Sequence, residues 1–338
     1  MKNTKYLYTC LLAMFILSAV SVLYAQSKTS AISSRAGAFS RMGFGARGIG
    51  LGNAASAITE GSLVSYYNPA LPVFQKNNSA ILGYSFLSLD RKLNFVSFTR
   101  KFEFFSDKDT LKTKPASTAG LSFGVINSGV SKIDGRDNQG FKTEELSTSE
   151  NQFFFSVSNK FSDKLAIGIS IKFFYYKLYT DISSSGIGLD LGALYSFSKN
   201  LKMSLMLADL NSKYKWDTSP VYEQQGRNTE DKFPTLKKIG FSYSFDNPAI
   251  IAAVELESSN AGTNILRIGT EYRIIDELTV RAGLDKWNLN NSDDKIRPAA
   301  GFSLYRSFGS VRMAVDYAFS SDTYSPSDHH IVGLNFIF

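Results

Sequence analysis

The chain has 338 residues, 43% of them hydrophobic, a formal charge of +7 and a single cysteine. One cysteine excludes a disulfide framework and a multi-thiolate metal centre. The basic residues are scattered, without a run of five, which argues against a nucleic-acid partner.

Taken in order, Met1-Lys2-Asn3-Thr4-Lys5 leads into an apolar run from Tyr6 to Leu23 that ends in Tyr24-Ala25. A positive start, an apolar middle and a small closing residue describe a secretory signal peptide over 1–25, cut after Ala25. The competing reading is an uncleaved membrane anchor. Cys10 lies inside the run rather than behind a cleavage site, so a lipid-anchored cysteine is not expected. Cleavage removes that cysteine, and loss of Lys2 and Lys5 lowers the charge from +7 to +5.

Residues 26–77 are not strand-like. They contain "RMGFGARGIGLGNAASAI", in which Gly43 to Gly48 spell G-x-G-x-x-G. That fingerprint binds a dinucleotide only after a buried strand, inside a βαβ unit, with an acid about twenty residues further on. None of these surrounds Gly43. Asn68 followed by Pro69 suits a helix N-cap and first helical position. Small residues let backbone pack closely on backbone. The segment is expected to be a plug folded into a lumen.

From residue 78 to 338 apolar and polar residues alternate with the period of strands. Fourteen segments are expected, near 78–88, 93–102, 118–130, 150–161, 164–179, 185–198, 200–209, 236–246, 249–257, 263–275, 277–287, 295–307, 309–320 and 328–338. From the third strand onward, tight turns alternate with longer loops at 131–149, 180–184, 210–235, 258–262, 288–294 and 321–327. An even strand number with short turns at one end predicts an all-β, transmembrane, antiparallel β-barrel. The polar stretch 103–117 breaks the alternation. A secreted β-sandwich would alternate too. Against it stand strand lengths near the ~9–11 residues that cross a bilayer and a load of 27 Phe and 17 Tyr. The chain also ends on an aromatic strand, with Val332, Leu334, Phe336 and Phe338 on one face. That strand is expected to be the insertion signal read by the barrel-assembly machinery. The outer-membrane surroundings are lipid and lipopolysaccharide.

Strand parity turns Lys172, Asp190, Glu255, Arg267, Glu271, Arg281, Asp285, Arg312 and Asp316 toward the lumen. They are expected to pair across neighbouring strands, and alternatively to line a polar path or to dock the plug. Arg47 is expected to meet a wall carboxylate such as Asp316 or Glu271. Trp216, with Tyr214 and Tyr222 in the loop 210–235, either forms an outside contact surface or packs on its own loop. His329 and His330 are adjacent and point to opposite faces, which spoils a two-histidine metal site. No G-x-S-x-G occurs, and neither enzyme activity nor a cofactor is expected.

The stretch "GFGARGIGLGNAASAITEGSLVSYYNPAL" resembles the N-terminal box of the PorV/PorQ family, within the FadL-like group of outer-membrane barrels. Gly45, Ala46, Arg47, Gly50, Gly52, Ala54, Asn68, Pro69 and Ala70 match its pattern. Leu51 stands for the usual Met, and Thr59-Glu60-Gly61 for the usual acidic pair. The resemblance implies association with type IX secretion, with a secretion translocon and exported cargo proteins as partners. The alternative it implies is a FadL-like channel for hydrophobic small molecules.

Overall fold

The computed structural model describes residues 30–106 and 115–338. The expected signal peptide and Cys10 lie outside the described residues, and so do positions 107–114. The strands in chain order are β1 (Ser79–Phe86), β2 (Arg91–Phe104), β3 (Ser117–Arg136), β4 (Lys142–Lys160), β5 (Leu165–Lys177), β6 (Ser183–Ser196), β7 (Leu201–Leu210), β8 (Lys213–Asp217), β9 (Asn228–Lys232), β10 (Leu236–Phe245), β11 (Ile250–Ser259), β12 (Asn264–Ile275), β13 (Leu278–Asn288), β14 (Arg297–Phe308), β15 (Val311–Ser320) and β16 (His329–Ile337). Fourteen of them close one antiparallel barrel, in which β7 pairs with β10 and β16 returns to β1. The closing register runs from Ser79 opposite Ile337 to Phe86 opposite His330. Closure leaves no strand edge along the ring, the condition for spanning a membrane with strands.

The alternation that makes these segments strands also decides what each face touches. Along β5, Ala166, Ser170, Lys172 and Phe174 turn inward and are buried. Ile167, Ile169, Ile171, Phe173 and Tyr175 turn outward and stay exposed. Leu82, Tyr84, Val96, Phe123, Phe153, Phe155 and Leu205 continue that apolar outer surface around the ring. Such a band is favourable only in contact with lipid. Among the described residues no helix is long and apolar enough to cross a membrane. Val332, Leu334 and Phe338 are exposed on the outer surface, and Phe336 is half-buried.

Three expectations need correction. The loop 131–149 is mostly strand: β3 and β4 run on as a hairpin whose turn is only 137–141. The loop 210–235 holds the β8–β9 hairpin. In the irregular stretch 103–117, Glu103, Phe104 and Ser117 are strand, and the Ala116 amide bonds the Phe104 carbonyl. The tight turns and the chain's closing strand end share one side of the barrel. That is the periplasmic side of an outer-membrane barrel, and the longer loops mark the extracellular side.

The segment from residue 30 to 78 runs through the interior. It contains 3-10 turns at Ile32–Ser34 and Phe39–Arg41, a short α-helix α1 (Gly45–Gly50) and a 3-10 helix at Leu71–Phe74. The G-x-G-x-x-G therefore does open a helix, but a six-residue one held inside a barrel. Asn68-Pro69 does not start a helix. The Asn68 Oδ1 accepts the Ala70 amide at 2.9 Å, an Asx turn placed just before Leu71–Phe74, whose proline is Pro72.

Candidate functional site

The interior of the barrel is a seat for this plug. Inward-facing glycines on several strands leave room for plug backbone where any side chain would collide. A Cβ on Gly168 would lie 2.0 Å from the Pro69 carbonyl oxygen. One on Gly120 would lie 2.2 Å from the Val73 nitrogen, and one on Gly283 2.3 Å from the Gly52 nitrogen. Gly192 faces the Asn68 side chain, and Gly269 the Leu51 carbonyl. On the plug side, Gly52 has φ of +59° and its Cβ would meet the Leu284 backbone at 2.7 Å, a position only glycine fills without strain.

Polar contacts fix the register of the plug in that seat. Asn68 is fully buried and donates to the Ala193 and Ser56 carbonyls at 3.2 and 3.3 Å. Ser56 meets Ser204 at 2.8 Å, Ser65 accepts from Ser156 at 2.8 Å, and Ser242 donates to the Ala57 carbonyl at 2.7 Å. The Tyr67 hydroxyl accepts the Phe44 amide at 2.9 Å and donates to Asn53 Oδ1 at 2.8 Å; Asn53 in turn donates to Asp285 at 3.0 Å. Each such bond contributes about 0.5–1.5 kcal/mol, and each costs more if one buried partner is left alone.

Charged side chains occupy one part of the wall. Arg47 grips Glu271 with Nε and Nη2, both at 2.9 Å, and its Nη1 donates to the Ser62 carbonyl at 3.0 Å. Arg281 reaches the same carboxylate at 2.6 Å. Arg47 therefore meets the second of its two expected partners, while Asp316 accepts from Ser303. Above this group, Arg267 binds Asp285 at 2.7 Å, Glu257 at 3.0 Å and Glu255 at 3.2 Å, and Lys238 adds a contact to Glu257 at 3.1 Å. Lys172 bridges Asp190 at 2.8 Å and Asp209 at 2.5 Å. Arg312 is not part of these networks. It sits at the periplasmic rim, bonded to the Asp276 carbonyl and 4.5 Å over the Tyr305 ring.

The opposite part of the upper wall is apolar. Leu93, Phe95, Ile126, Phe154, Phe174 and Ile331 form one continuous cluster with the plug residues Phe39 and Phe44. The Phe44 ring lies 5.1 Å from Phe95 and 5.7 Å from Phe154. The extracellular hairpin closes this cluster from above: Tyr214 and Trp216 are buried, and Phe233 stands 4.6 Å from Phe174. Tyr214 and Trp216 pack partly on their own loop, against each other and Phe233, and partly on Phe174 and Tyr176 of the barrel wall, which neither expected reading described.

With the plug seated, two small cavities of about 40 and 30 Å³ lie beside it, room for about one water each. A vestibule of about 610 Å³ lies at the periplasmic end, bordered by Arg47, Glu60, Phe74, Lys76, Glu271 and Arg312. At its edge the half-buried Glu60 carboxylate meets the buried Lys202 at 2.6 Å. Burial pushes the Glu60 pKa up, but Lys202, the Ser244 hydroxyl and the Thr59 amide outweigh it and hold the group below the usual carboxylate range. His329 is buried on the inner face, and His330 faces outward, bonded to Tyr317 at 2.7 Å.

Several site residues escaped the sequence reading. Lys202, Lys238 and Glu257 have inward parity near strand ends and were legible by the same rule as Glu255. Asp209 was not. It sits at an irregularity in the β6–β7 pairing with φ of +59°, where strand parity fails.

No family model matches the chain, and no curated relative does. Solved structures do. A mutant of the TodX monoaromatic hydrocarbon channel is similar over 87% of this chain and 97% of its own, with 13% identity and a TM-score of 0.57. The Ralstonia pickettii toluene transporter TbuX shares 13% identity over 87% and 97%, with a TM-score of 0.54. A Pseudomonas aeruginosa FadL homologue shares 10% identity over 87% and 98%, with a TM-score of 0.52. At these identities the likeness is one of fold: the chain shares the barrel architecture of these proteins.

Proposed function

We propose that this chain is a plugged outer-membrane channel that admits small hydrophobic molecules into a Gram-negative-type cell. One observation carries the reading. The upper lumen has a continuous apolar and aromatic wall, and what covers it is plug and hairpin, neither of which is part of the hydrogen-bonded barrel ring. With Phe39 and Phe44 away, Leu93, Phe95, Ile126, Phe154 and Phe174 would offer apolar surface to a solute entering from outside. The fold shared with hydrocarbon channels fits this reading better than it fits secretion.

The secretion-associated reading rests on the Gly-Ala-Arg box; the Asn-Pro-Ala triplet is common to both branches of the resemblance. Those residues have structural work in the seat: Gly52 and Asn68 make close approaches, and Arg47 anchors to Glu271. The box therefore carries no separate argument for cargo binding. Co-purification from native membranes in mild detergent, followed by mass spectrometry, tests the choice. A lone barrel carrying apolar small molecules supports the channel. Recovery with a large translocon or folded cargo supports secretion and removes the channel reading.

A further inference from the structure

The plug enters the barrel from the extracellular side. Ala31 N donates to the Ala261 carbonyl at 3.0 Å, and Ser30 Oγ to the same oxygen at 3.2 Å. Ala261 lies in the extracellular connection between β11 and β12. From there the chain crosses the mouth as a strap, residues 30–41, before descending to α1 and on to β1 at the periplasmic end.

The strap is pinned by the hairpin. Gly37 has φ of +71°, and a Cβ there would lie 2.2 Å from the Phe233 ring. The ring therefore rests directly on the strap's backbone. Arg41 holds that turn in shape, its Nη1 donating to the Ala36 and Gly37 carbonyls at 2.7 and 2.9 Å. Phe233 is itself held from three directions. Its amide bonds the Ser212 carbonyl, and its ring packs 4.6 Å from Phe174 and 5.1 Å from Tyr214. The hairpin is tied to the wall through Ser184, which exchanges two bonds of 2.8 Å with the Lys215 backbone, and through Tyr214, which donates to Glu150 at 3.0 Å.

Below the strap the linkage continues without a break. Ser40 O accepts from the Tyr66 hydroxyl at 2.9 Å, and Tyr66 accepts the Gly43 amide at 3.2 Å. The neighbouring Tyr67 leads through Asn53 to Asp285 and the charged wall. On its far side every residue of β9, from Asn228 to Lys232, is exposed. The hairpin thus touches both the outside and the strap.

We propose that the β8–β9 hairpin is an extracellular latch: Phe233 on Gly37 holds the strap across the mouth, and the plug loosens only when the hairpin lifts. A molecule arriving from outside meets the hairpin first. Prising Phe233 from Gly37 frees the strap, and the Tyr66 and Tyr67 contacts pass that release to the plug. The idea deepens the channel reading by naming its gate, and rests on that reading only for the gate's purpose.

Strap release can be measured without any transport. In a Cys10→Ser background, Ser40→Cys places a thiol at a position only 6% exposed. A membrane-impermeant maleimide added from outside reports how often it is uncovered. Phe233→Ala and, separately, Gly37→Ala should each raise the labelling rate about tenfold or more, the ratio set by ~1.4 kcal/mol. Thr229→Ala, on exposed β9, should leave it unchanged. Folding of each variant is checked by its gel mobility with and without heating. Unchanged labelling in folded Phe233→Ala and Gly37→Ala barrels would overturn the latch. So would an equal rise in Thr229→Ala. The rate does not depend on any solute crossing, so failure of the channel reading would show in uptake and leave this result separate.

Discussion

Replacing Gly168 with alanine is the sharpest way to unseat the plug. The added Cβ would stand 2.0 Å from the Pro69 carbonyl oxygen, 2.3 Å from its carbon and 2.7 Å from the Ala70 nitrogen. Non-bonded carbon sits best about 3.5–4.0 Å from its neighbours, so the Asn-Pro-Ala turn must retreat by about 1.5 Å. Both surfaces are backbone, and no rotamer can absorb the clash. Overpacking of this kind costs about 1–3 kcal/mol, which multiplies the unseated population by about five to 150. The assay is single-channel recording in a planar bilayer, with time spent conducting as the readout. Gly50→Ala is the matched control, because its Cβ would stand 3.4 Å from the nearest wall atom, the Gly301 Cα. Gly168→Ala should conduct far more often than the unmodified chain, and Gly50→Ala should match it. If the two variants behave alike, the glycine seat is not what holds the plug.

Other outcomes follow from the same contacts. A double-mutant cycle of Arg47→Ala and Glu271→Ala, read by urea sensitivity of the plug's protease protection, should give a coupling of about 0.5–3 kcal/mol; Arg47→Lys should recover only part, because it loses the two-pronged grip. Asn68→Ala removes the cap on Ala70 and the bond to Ala193, and should cost about 1–3 kcal/mol of plug stability in the same measurement. The Glu60–Lys202 contact should respond to acid. Because the folded-state pKa of Glu60 is depressed, its contribution is fully present above the unfolded value of about 4.3 and is lost as pH falls through the lower folded value. Channel opening in acid should therefore increase below about pH 4, and Glu60→Gln should already open more at neutral pH and lose that part of the acid response.

The barrel was legible because period-two alternation is strong wherever one face meets lipid and the other meets small or charged residues. The rhythm that marks Ile167, Ile169 and Ile171 as outward also marks Gly168 and Lys172 as inward. The plug was legible as a segment and opaque as a structure. Its helix is six residues long, and its turns depend on a tyrosine hydroxyl or a wall carbonyl supplied from far along the chain. The hairpin at 210–235 looked like loop because β9 is uniformly polar and β8 is only five residues long. Its inward course depends on Phe174 and Gly37, which lie 59 and 196 positions from Phe233. The extended hairpin at 131–149 was missed because polar strands that stand clear of the membrane lack the lipid-facing pattern. Glu271 as the partner of Arg47 was anticipated from charge alone, among two candidates, and only the fold could choose between them.

The most direct test of the central claim is uptake by whole cells whose outer membrane lacks its own hydrophobic channel. Cells carrying this barrel would be supplied with radiolabelled toluene, or with a polar sugar of similar size, and accumulation followed over time. The account predicts faster entry of the hydrocarbon than in cells without the barrel, no gain for the sugar, and a further increase in the hydrocarbon rate for Gly168→Ala. Hydrocarbon entry at the same rate with and without the folded barrel, and unmoved by Gly168→Ala, would contradict it.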